Sequence, residues 1–440
     1  MEFDIIIIGA GPGGYETAVE AAKRGYKVAI VERRQVGGTC LNRGCIPTKA
    51  LCASAAAYAT ARDATTFGIN ITGEIHPDLA GIMQRKNDVV QTLRDGVTSL
   101  LSHPNITVIQ GEARLADNNA VEVNGETLHA DNIILATGSK PRSLPIAGSE
   151  LAITSDELLD IDKLPSSMVI VGGGVIGMEF AYIFSTLGTS VTVVEYCKEI
   201  LPPFDSDIAK RLRTTLSRRG IKFAVGVAVT SIARDSEGLV VNYETKGKTQ
   251  QVMGDVVLMA VGRAPVLPAG LDTLGIHTER GAIVTDNDYR TTADGVWAIG
   301  DVNARCMLAH AARAQGKHVL NAISGNIDST IEFIPSAVFT VPEVAMVGKT
   351  EQSLKEKEVN YIALKSFFRA NGKALAMGEP DGLVKVLVEE SGKILGCHIM
   401  GAHAADIIHE ITLAMTNGLT IDDIRHTIHT HPTLSEVLVG

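Results

Sequence analysis

The sequence predicts an α/β protein with two parallel-sheet units of one pattern and a C-terminal α+β domain. Three observations carry that prediction. A strand-like apolar run, a glycine-rich turn and a helix-like stretch follow one another twice, at residues 3–32 and 167–195. Each copy ends on a glutamate at the same distance from its glycines. After about Ile334 short strands are followed by two helices, the order of a separate α+β domain.

In the first copy, Phe3–Ile8 reads as a strand buried on both faces, Gly9–Gly14 as the turn, Tyr15–Arg24 as a helix and Lys27–Val31 as a strand ending at Glu32. In the second, the strand Ser167–Val171 is followed by the turn Gly172–Gly177, a helix to about Leu187 and the strand Ser190–Val194, ending at Glu195. The last glycine precedes the acid by 18 residues in both copies, and the first glycine by 23. One GxGxxG is a weak signal. Two of them, each after a strand and each followed by an acid at βαβ spacing, identify two Rossmann-like dinucleotide-binding domains.

Length and composition agree. At roughly 150 residues per domain, 440 residues suggest about three domains. With 45% hydrophobic and 20% charged residues the chain can bury a large core. Forty-three glycines against 4% aromatics suit tight turns more than aromatic-lined grooves. A net charge of −10 disfavours nucleic-acid binding. The apolar runs fall short of the ~20 residues of a membrane span. The N-terminus enters a strand within a few residues, leaving no room for a secretory signal, and six cysteines do not make a disulfide scaffold. The expectation is a cytoplasmic protein.

Pro141–Pro145 and Ser324–Pro335 read as breaks. Between them lie the buried strands Val256–Val261 and Val296–Ile299. Beyond the second break come the alternating strands Val338–Phe339, Leu383–Glu389 and Ile394–Met400, then helices at about Ala404–Asn417 and Ile421–Thr427. The division expected is a first nucleotide domain at 1–145, a second at 146–262, the return to the first at 263–330, and the terminal domain at 331–440.

In the first turn, Gly9, Gly11, Pro12, Gly13 and Gly14 would admit a pyrophosphate to a helix N-terminus, with Glu32 accepting from a ribose hydroxyl. In the second, Gly172, Gly174, Val175, Ile176, Gly177 and Glu195 repeat the arrangement. An ordinary glycine-rich βα turn is the alternative in each case. A carboxylate at Glu195 suits the free 2′-hydroxyl of NAD and repels the phosphate of NADP.

Cys40-Leu41-Asn42-Arg43-Gly44-Cys45 begins eight residues after Glu32. In a regular helix residues five apart have Cα atoms about 8–9 Å apart, beyond the roughly 7 Å a disulfide allows. If the two pair, the backbone between them departs from a helix, and Gly37, Gly38 and Gly44 allow it. Pro47 fits the first turn of a helix, with Cys45 near its N-terminus and Lys49 on the same face. Both would stabilise a thiolate, so Cys45 reads as the electron-rich sulfur and Cys40 as its more accessible partner. Two buried structural cysteines are the alternative.

His431 and Glu436, in His431-Pro432-Thr433-Leu434-Ser435-Glu436, form an acid–base candidate, with a surface ion pair or an HxH metal pair with His429 as other readings. Asp301 ends a buried strand and could accept from a sugar hydroxyl, or be a turn residue. Cys52, Cys197, Cys306 and Cys397 read as small buried hydrophobes, with Cys306 notable for its place near Asp301.

From end to end the chain resembles the flavoprotein disulfide reductases (class I pyridine nucleotide-disulfide oxidoreductases), and within them the dihydrolipoamide dehydrogenase branch. The likeness rests on GAGPGGY (9–15), GGTCLNRGCIPTKAL (37–51), ATGSKP (136–141), VGGGVIGMEF (171–180), VGRAP (261–265), AIGD (298–301), MLAHAA (307–312), FTVPEVAMVG (339–348) and HTHPTLSE (429–436). It implies that the first unit binds FAD, through Gly38, Thr39, Lys49, Ala136, Thr137, Gly138, Gly300, Asp301, Met307, Leu308, Ala309 and His310 besides the first turn and Glu32. It implies that the second binds NAD, with Glu179, Gly262 and Arg263 along the site. Cys40 and Cys45 would form the redox disulfide, Cys45 as charge-transfer thiol and Cys40 as interchange thiol. Lys49 would pair with Glu179 near the flavin. His431, oriented by Glu436, would act on the partner subunit's Cys40, which makes the α+β domain a dimerisation domain and the homodimer obligatory.

The activity implied is oxidation of dihydrolipoamide, carried on the lipoyl domain of an acyltransferase or on a glycine cleavage carrier protein, with reduction of NAD. No metal, nucleic acid or membrane enters it. Basic residues typical of glutathione reductases are absent at 195–197, as is the C-terminal cysteine pair of mercuric reductases and larger thioredoxin reductases. Thr48 stands where the family often has Ser, and the sequence stops four residues after Glu436, where many relatives have a longer tail. Reduction of another disulfide or oxidant, and a flavin-containing redox sensor without turnover, are the competing readings.

Overall fold

The apolar runs fold as strands and the glycine turns as the bends between strand and helix. The computed structural model describes residues 1–326 and 331–440; residues 327–330, within the expected break Ser324–Pro335 and at the 330/331 boundary, lie outside the described residues. The chain opens with β1 (Glu2–Ile8), α1 (Pro12–Lys23) and β2 (Val28–Glu32), followed by α2 (Gly38–Arg43), α3 (Cys45–Arg62) and α4 (Leu79–Leu101). Then come β3 (Ile106–Gln110), β4 (Arg114–Asp117), β5 (Ala120–Val123), β6 (Glu126–Leu135), β7 (Ser139–Pro141) and α5 (Ser155–Leu158). The second βαβ unit is β8 (Ser167–Val171), α6 (Val175–Thr186) and β9 (Ser190–Glu195), continued by α7 (Ser206–Arg218), β10 (Lys222–Val225), β11 (Ala228–Arg234), β12 (Leu239–Thr245), β13 (Lys248–Gly254) and β14 (Val256–Met259). Short strands β15 (Arg263–Pro265), β16 (Thr278–Glu279) and β17 (Ala282–Ile283) lead to β18 (Val296–Ala298) and α8 (Ala309–Ile323).

By internal contacts the chain forms two units, with 1–50, 83–142 and 263–331 in one and 51–82, 143–262 and 332–440 in the other, so two of the boundaries fall inside α3 and α4.

In the first unit one sheet runs in the order β3-β2-β1-β6-β5-β4, with β18 also paired to β6. The pairs among β3, β2, β1, β6 and β18 are parallel, and those of β4, β5 and β6 antiparallel. Alternation along β1 divides the core. Ile5 and Ile7 pack with Ala18, Ala21, Val319 and Leu320 on one face. Ile6 and Ile8 pack with Val31, Val121 and Leu128 on the other. Both faces are covered, which is why this strand reads as an apolar run.

In the second unit β10-β9-β8-β14 form a parallel sheet and β11-β12-β13 an antiparallel one. The terminal domain adds β19 (Ser336–Val338), β20 (Glu343–Gly348), α9 (Glu351–Glu356), β21 (Ile362–Phe367), α10 (Gly372–Ala376), β22 (Leu383–Val388), β23 (Ile394–Gly401), α11 (Ala404–Thr416) and α12 (Ile421–His426). Its antiparallel sheet runs β19-β20-β23-β22-β21. β22 and β23 are buried at every position, where the sequence had suggested alternation. One reason is Lys385, fully buried in β22, whose ammonium donates to Asp205 at 2.7 Å, to Asp207 at 3.2 Å and to Glu351. A lysine paired in this way occupies an interior position that its type alone marks as exposed. Lys355 and then Lys385 hold the Glu351 carboxyl down at about 2. Among the described residues no helix is long and apolar enough to cross a membrane.

Candidate active site

The two glycine turns are built by one local device. Gly9 donates to the Val31 carbonyl at 2.8 Å, and Gly172 to the Val194 carbonyl at 2.9 Å. Both glycines have left-handed φ, +106° and +111°, and a Cβ on either would strike the carbonyl of Ala136 or Ala260. Gly11 and Gly174 cap α1 and α6 in extended conformation, with no side chain satisfying the helix amides. By contrast α5, α7, α9, α10 and α12 are capped by Thr154, Asp205, Thr350, Asn371 and Thr420. Two helix N-termini bare of side chains and faced by glycines fit a pyrophosphate in each turn.

The acids do more than spacing alone suggests. Glu32, buried, accepts from the Ala10 amide at 2.8 Å and the Arg34 amide at 2.7 Å. Glu195, also buried, accepts from the amides of Gly173 and Cys197, the corresponding positions. Each carboxylate thus ties its strand end to its own turn.

The cysteines sit on two helices separated by a break. α2 ends at Arg43, Gly44 leaves the helical region at φ −149° and ψ −113°, and α3 starts at Cys45. The departure from a regular helix therefore falls between the two sulfurs. Gly38, at the start of α2, lies so close to Gly11 that a Cβ on it would come within 2.5 Å of the Gly11 Cα, which puts the cysteine segment against the first turn. Both cysteines are thiols in this structure. The exposure ranking is the reverse of that expected. Cys45 is exposed at the head of α3, whereas Cys40, within α2, is partly buried. The Cys40 thiol is pushed well above its ordinary range, first by its hydrogen bond with Cys45 and then by burial, with Lys49 opposing. Of the pair, Cys40 is the thiol that holds its proton more tightly than usual. Tyr15, on α1 and packed against the same core, is pushed up to about 12 by burial and then by Glu16 and Cys40.

Asp301 lies in a 3-10 turn (Gly300–Asn303) after β18 and accepts a short hydrogen bond from the Ser139 hydroxyl. Arg263 donates to that same hydroxyl at 2.7 Å and to the Ser139 carbonyl at 2.8 Å. The Arg263 side chain, expected along the second nucleotide site, is thus engaged within the first unit, because β15 pairs with β7 beside Ser139. Gln315 of α8 accepts from the Gly300 amide and from the Asn303 side chain, fixing the turn from behind. Ser139, Asn303 and Gln315 escaped sequence reasoning. Ser139 stood in the ATGSKP segment, but nothing in the pattern said that its hydroxyl faces Asp301.

Ala136, Thr137, Gly138, Met307, Leu308 and Ala309 are half-buried, and His310 is exposed at the start of α8, whose N-cap also lacks a side-chain partner. Burial and then Asp301 raise the Cys306 thiol, keeping it protonated. Cys52 and Cys397 are buried, as their type suggests; Cys197 and Cys306 are only partly so.

In the second unit Glu179 is buried and accepts from the Phe339 amide at 3.1 Å. His431 Nδ1 lies 2.9 Å from Glu436, which also accepts from the Thr433 amide at 2.8 Å. That amide first, and then His431, holds the Glu436 carboxyl below its usual range. The other His431 nitrogen is left for a proton acceptor or donor from outside. His429 uses both ring nitrogens, toward the Thr427 carbonyl at 2.9 Å and Glu410 at 2.8 Å.

Comparison with known proteins agrees with this geometry. A family profile described as "Pyridine nucleotide-disulphide oxidoreductase" matches residues 3–316, and its "dimerisation domain" matches 334–440. The chain is 43% identical to a protein of Chlamydia muridarum named dihydrolipoyl dehydrogenase, covering 99% of this chain and 95% of that one. A protein of Geobacillus stearothermophilus with the same name is 39% identical over the same shares. Among solved structures, the HOCl-induced flavoprotein disulfide reductase RclA from Escherichia coli superposes with a TM-score of 0.88 at 31% identity, covering 99% of this chain and 98% of that one.

Proposed function

The chain belongs to the pyridine nucleotide-disulphide oxidoreductase family, and on that premise we propose that it oxidises a dihydrolipoyl group to lipoyl and reduces NAD, with FAD as its resident cofactor. The observation that carries this reading is the Cys40–Cys45 pair, set across a helix break against the first glycine turn with the Cys40 thiol pushed above its ordinary range. Functionally, 1–145 and 263–330 would hold FAD, 146–262 NAD, and 331–440 the second subunit.

In the oxidised pair Cys40 and Cys45 share a disulfide. A substrate thiolate attacks Cys40 Sγ, the S–S bond breaks, and Cys45 leaves as the thiolate its surroundings favour. The partner subunit's His431 takes the substrate's proton, with Glu436 fixing its Nδ1. The second substrate sulfur then displaces Cys40 from the mixed disulfide, closing the lipoyl ring and leaving Cys40 as a thiol. FAD, when bound, supplies the two-electron path from that dithiol to NAD. Asp301, held by Ser139 and Gln315 in its turn, would receive the ribityl hydroxyls; Glu32 and Glu195 would each take the adenosine ribose of their own nucleotide. The substrate would arrive on the lipoyl domain of an acyltransferase or on a glycine cleavage carrier protein, in the cytoplasm.

Steady-state NAD reduction with free dihydrolipoamide tests the reading, with NADP as control. Turnover with NAD, little with NADP, and its loss in His431→Gln is the expected result. Full activity in His431→Gln would remove the acid–base role. The likeness to RclA favours a second reading, NADH-dependent reduction of another disulfide or oxidant. Activity with such a substrate and none with lipoamide would decide for it.

A further inference from the structure

The chain carries a net charge of −10, yet residues 206–222 hold six basic side chains and one acid, Asp207. The exposed flank of α7 lines a cleft of about 420 Å³ with Lys210, Arg211, Thr214 and Arg218, closed on the other side by Lys365 and Asp381 of the terminal domain. We propose that this cleft binds an extended, acidic peptide segment of a partner protein. The inference does not rest on the redox reading, and none of these residues belongs to the redox machinery described above.

Three features point to that occupant. The first is the availability of the cations. Asp207 is already neutralised by Lys365 at 2.9 Å and by Lys385. Arg213, on the same helix, is committed to Glu199. Lys210 and Arg218, among the described residues, form no ion pair and are exposed. Exposed cations without ion partners in an otherwise acidic molecule concentrate an anionic partner there and steer its approach.

The second feature is spacing. Lys210, Thr214 and Arg218 stand four residues apart, which sets them about 6 Å apart along the helix. Alternate side chains on one face of an extended chain recur about every 6.6 Å. A segment with acids at every second residue can therefore meet Lys210 and Arg218 with two of its carboxylates while a third faces Thr214.

The third is preorganisation. Arg211 lies over the Phe367 ring at 5.7 Å, and Arg369 lies over the same ring at 4.9 Å. The aromatic ring holds in place the guanidinium of Arg211, which lines the cleft.

The test uses a fluorescein-labelled peptide of four Glu-Ala repeats titrated with the full-length, flavin-loaded protein and followed by anisotropy. Saturable binding that weakens with added salt is expected, with no binding of the matching Gln-Ala peptide. Lys210→Glu combined with Arg218→Glu is expected to weaken binding by about tenfold or more, with dihydrolipoamide turnover and melting temperature unchanged. If charge reversal lowers the melting temperature, Lys210→Gln with Arg218→Gln serves in its place. Absence of binding by the unmodified protein, or equal binding by the variants, would overturn the proposal. So would displacement of the peptide by tripolyphosphate bound more tightly than the peptide itself, which would make the cleft a phosphate site.

Discussion

The two glycine turns share their hydrogen bonds, φ angles, bare helix caps and buried glutamates, and each is met by a later segment of its own unit, Gly37 donating to the Ala10 carbonyl and Leu201 to the Gly173 carbonyl, both at 2.8 Å, yet the first is crowded by more of them. At the first, Gly13 abuts Ala312 and Ile299, with a Cβ on it 3.2 and 3.4 Å from their side chains. A Cβ on Gly316 would collide with the Thr17 hydroxyl, so α1 and α8 approach through small residues. Gly38 presses on Gly11 from a third direction. At the second turn, Ile176 stands where Gly13 does, and a Cβ on Gly174 would meet nothing within 4 Å. The local device makes a nucleotide turn. The segments packed beside the first turn bring Cys40, Cys45 and Asp301 into its unit.

The contrast can be broken most severely at the thiols. Cys45→Ser is expected to lower dihydrolipoamide turnover by about 10³-fold or more while leaving NADH affinity unchanged. A parallel loss of NADH affinity in a fluorescence titration would show that the two sites are not separable.

Next come the left-handed glycines. Gly9→Ala and Gly172→Ala each combine backbone strain with a collision at a carbonyl, about 2–4 kcal/mol. The first variant should shed flavin on gel filtration. The second should keep its flavin and lose NADH binding. The same phenotype from both would contradict the division of labour.

Smaller effects are expected from Glu32→Gln and Glu195→Gln. Each weakens two hydrogen bonds to amides at a buried site, about 1–3 kcal/mol, or roughly tenfold in the affinity of its own nucleotide only. Smallest is the pair Gly13→Ala and Ile176→Ala. The first should cost about 1 kcal/mol by crowding Ala312, and the half-buried Ile176 no more than that. Thermal denaturation would detect a reversal of this order.

The repeat was legible because its signals are local. A glycine with φ near +106° or +111°, an apolar run buried on both sides and an acid 18 residues on all leave marks in the sequence itself. The helix break at Gly44 could be stated as a condition for the same reason. What was not legible depends on residues far apart in sequence. Ser139 meets Asp301 across 162 positions, and Lys385 meets Asp205 across 180. No periodicity records such a meeting. Arg263 was placed by its motif, whereas its partner is set by the pairing of β15 with β7. The relative exposure of the two cysteines likewise depended on which of them heads a helix.

The return of β18 to the edge of β6 also bears on how the molecule is made. Everything the second turn shares with the first is complete once β14 has been synthesised. The first turn still lacks β18, Asp301 and α8 at that moment, because they follow after residue 295. At roughly 5–20 residues per second, the ribosome spends on the order of ten seconds between β7 and β18. During that interval β6 has an unpaired edge and Ser139 has no Asp301. The older half of the chain is therefore the last to be finished, and a chain released after residue 262 would carry every strand of its second glycine turn while the first still lacked β18, Asp301 and α8.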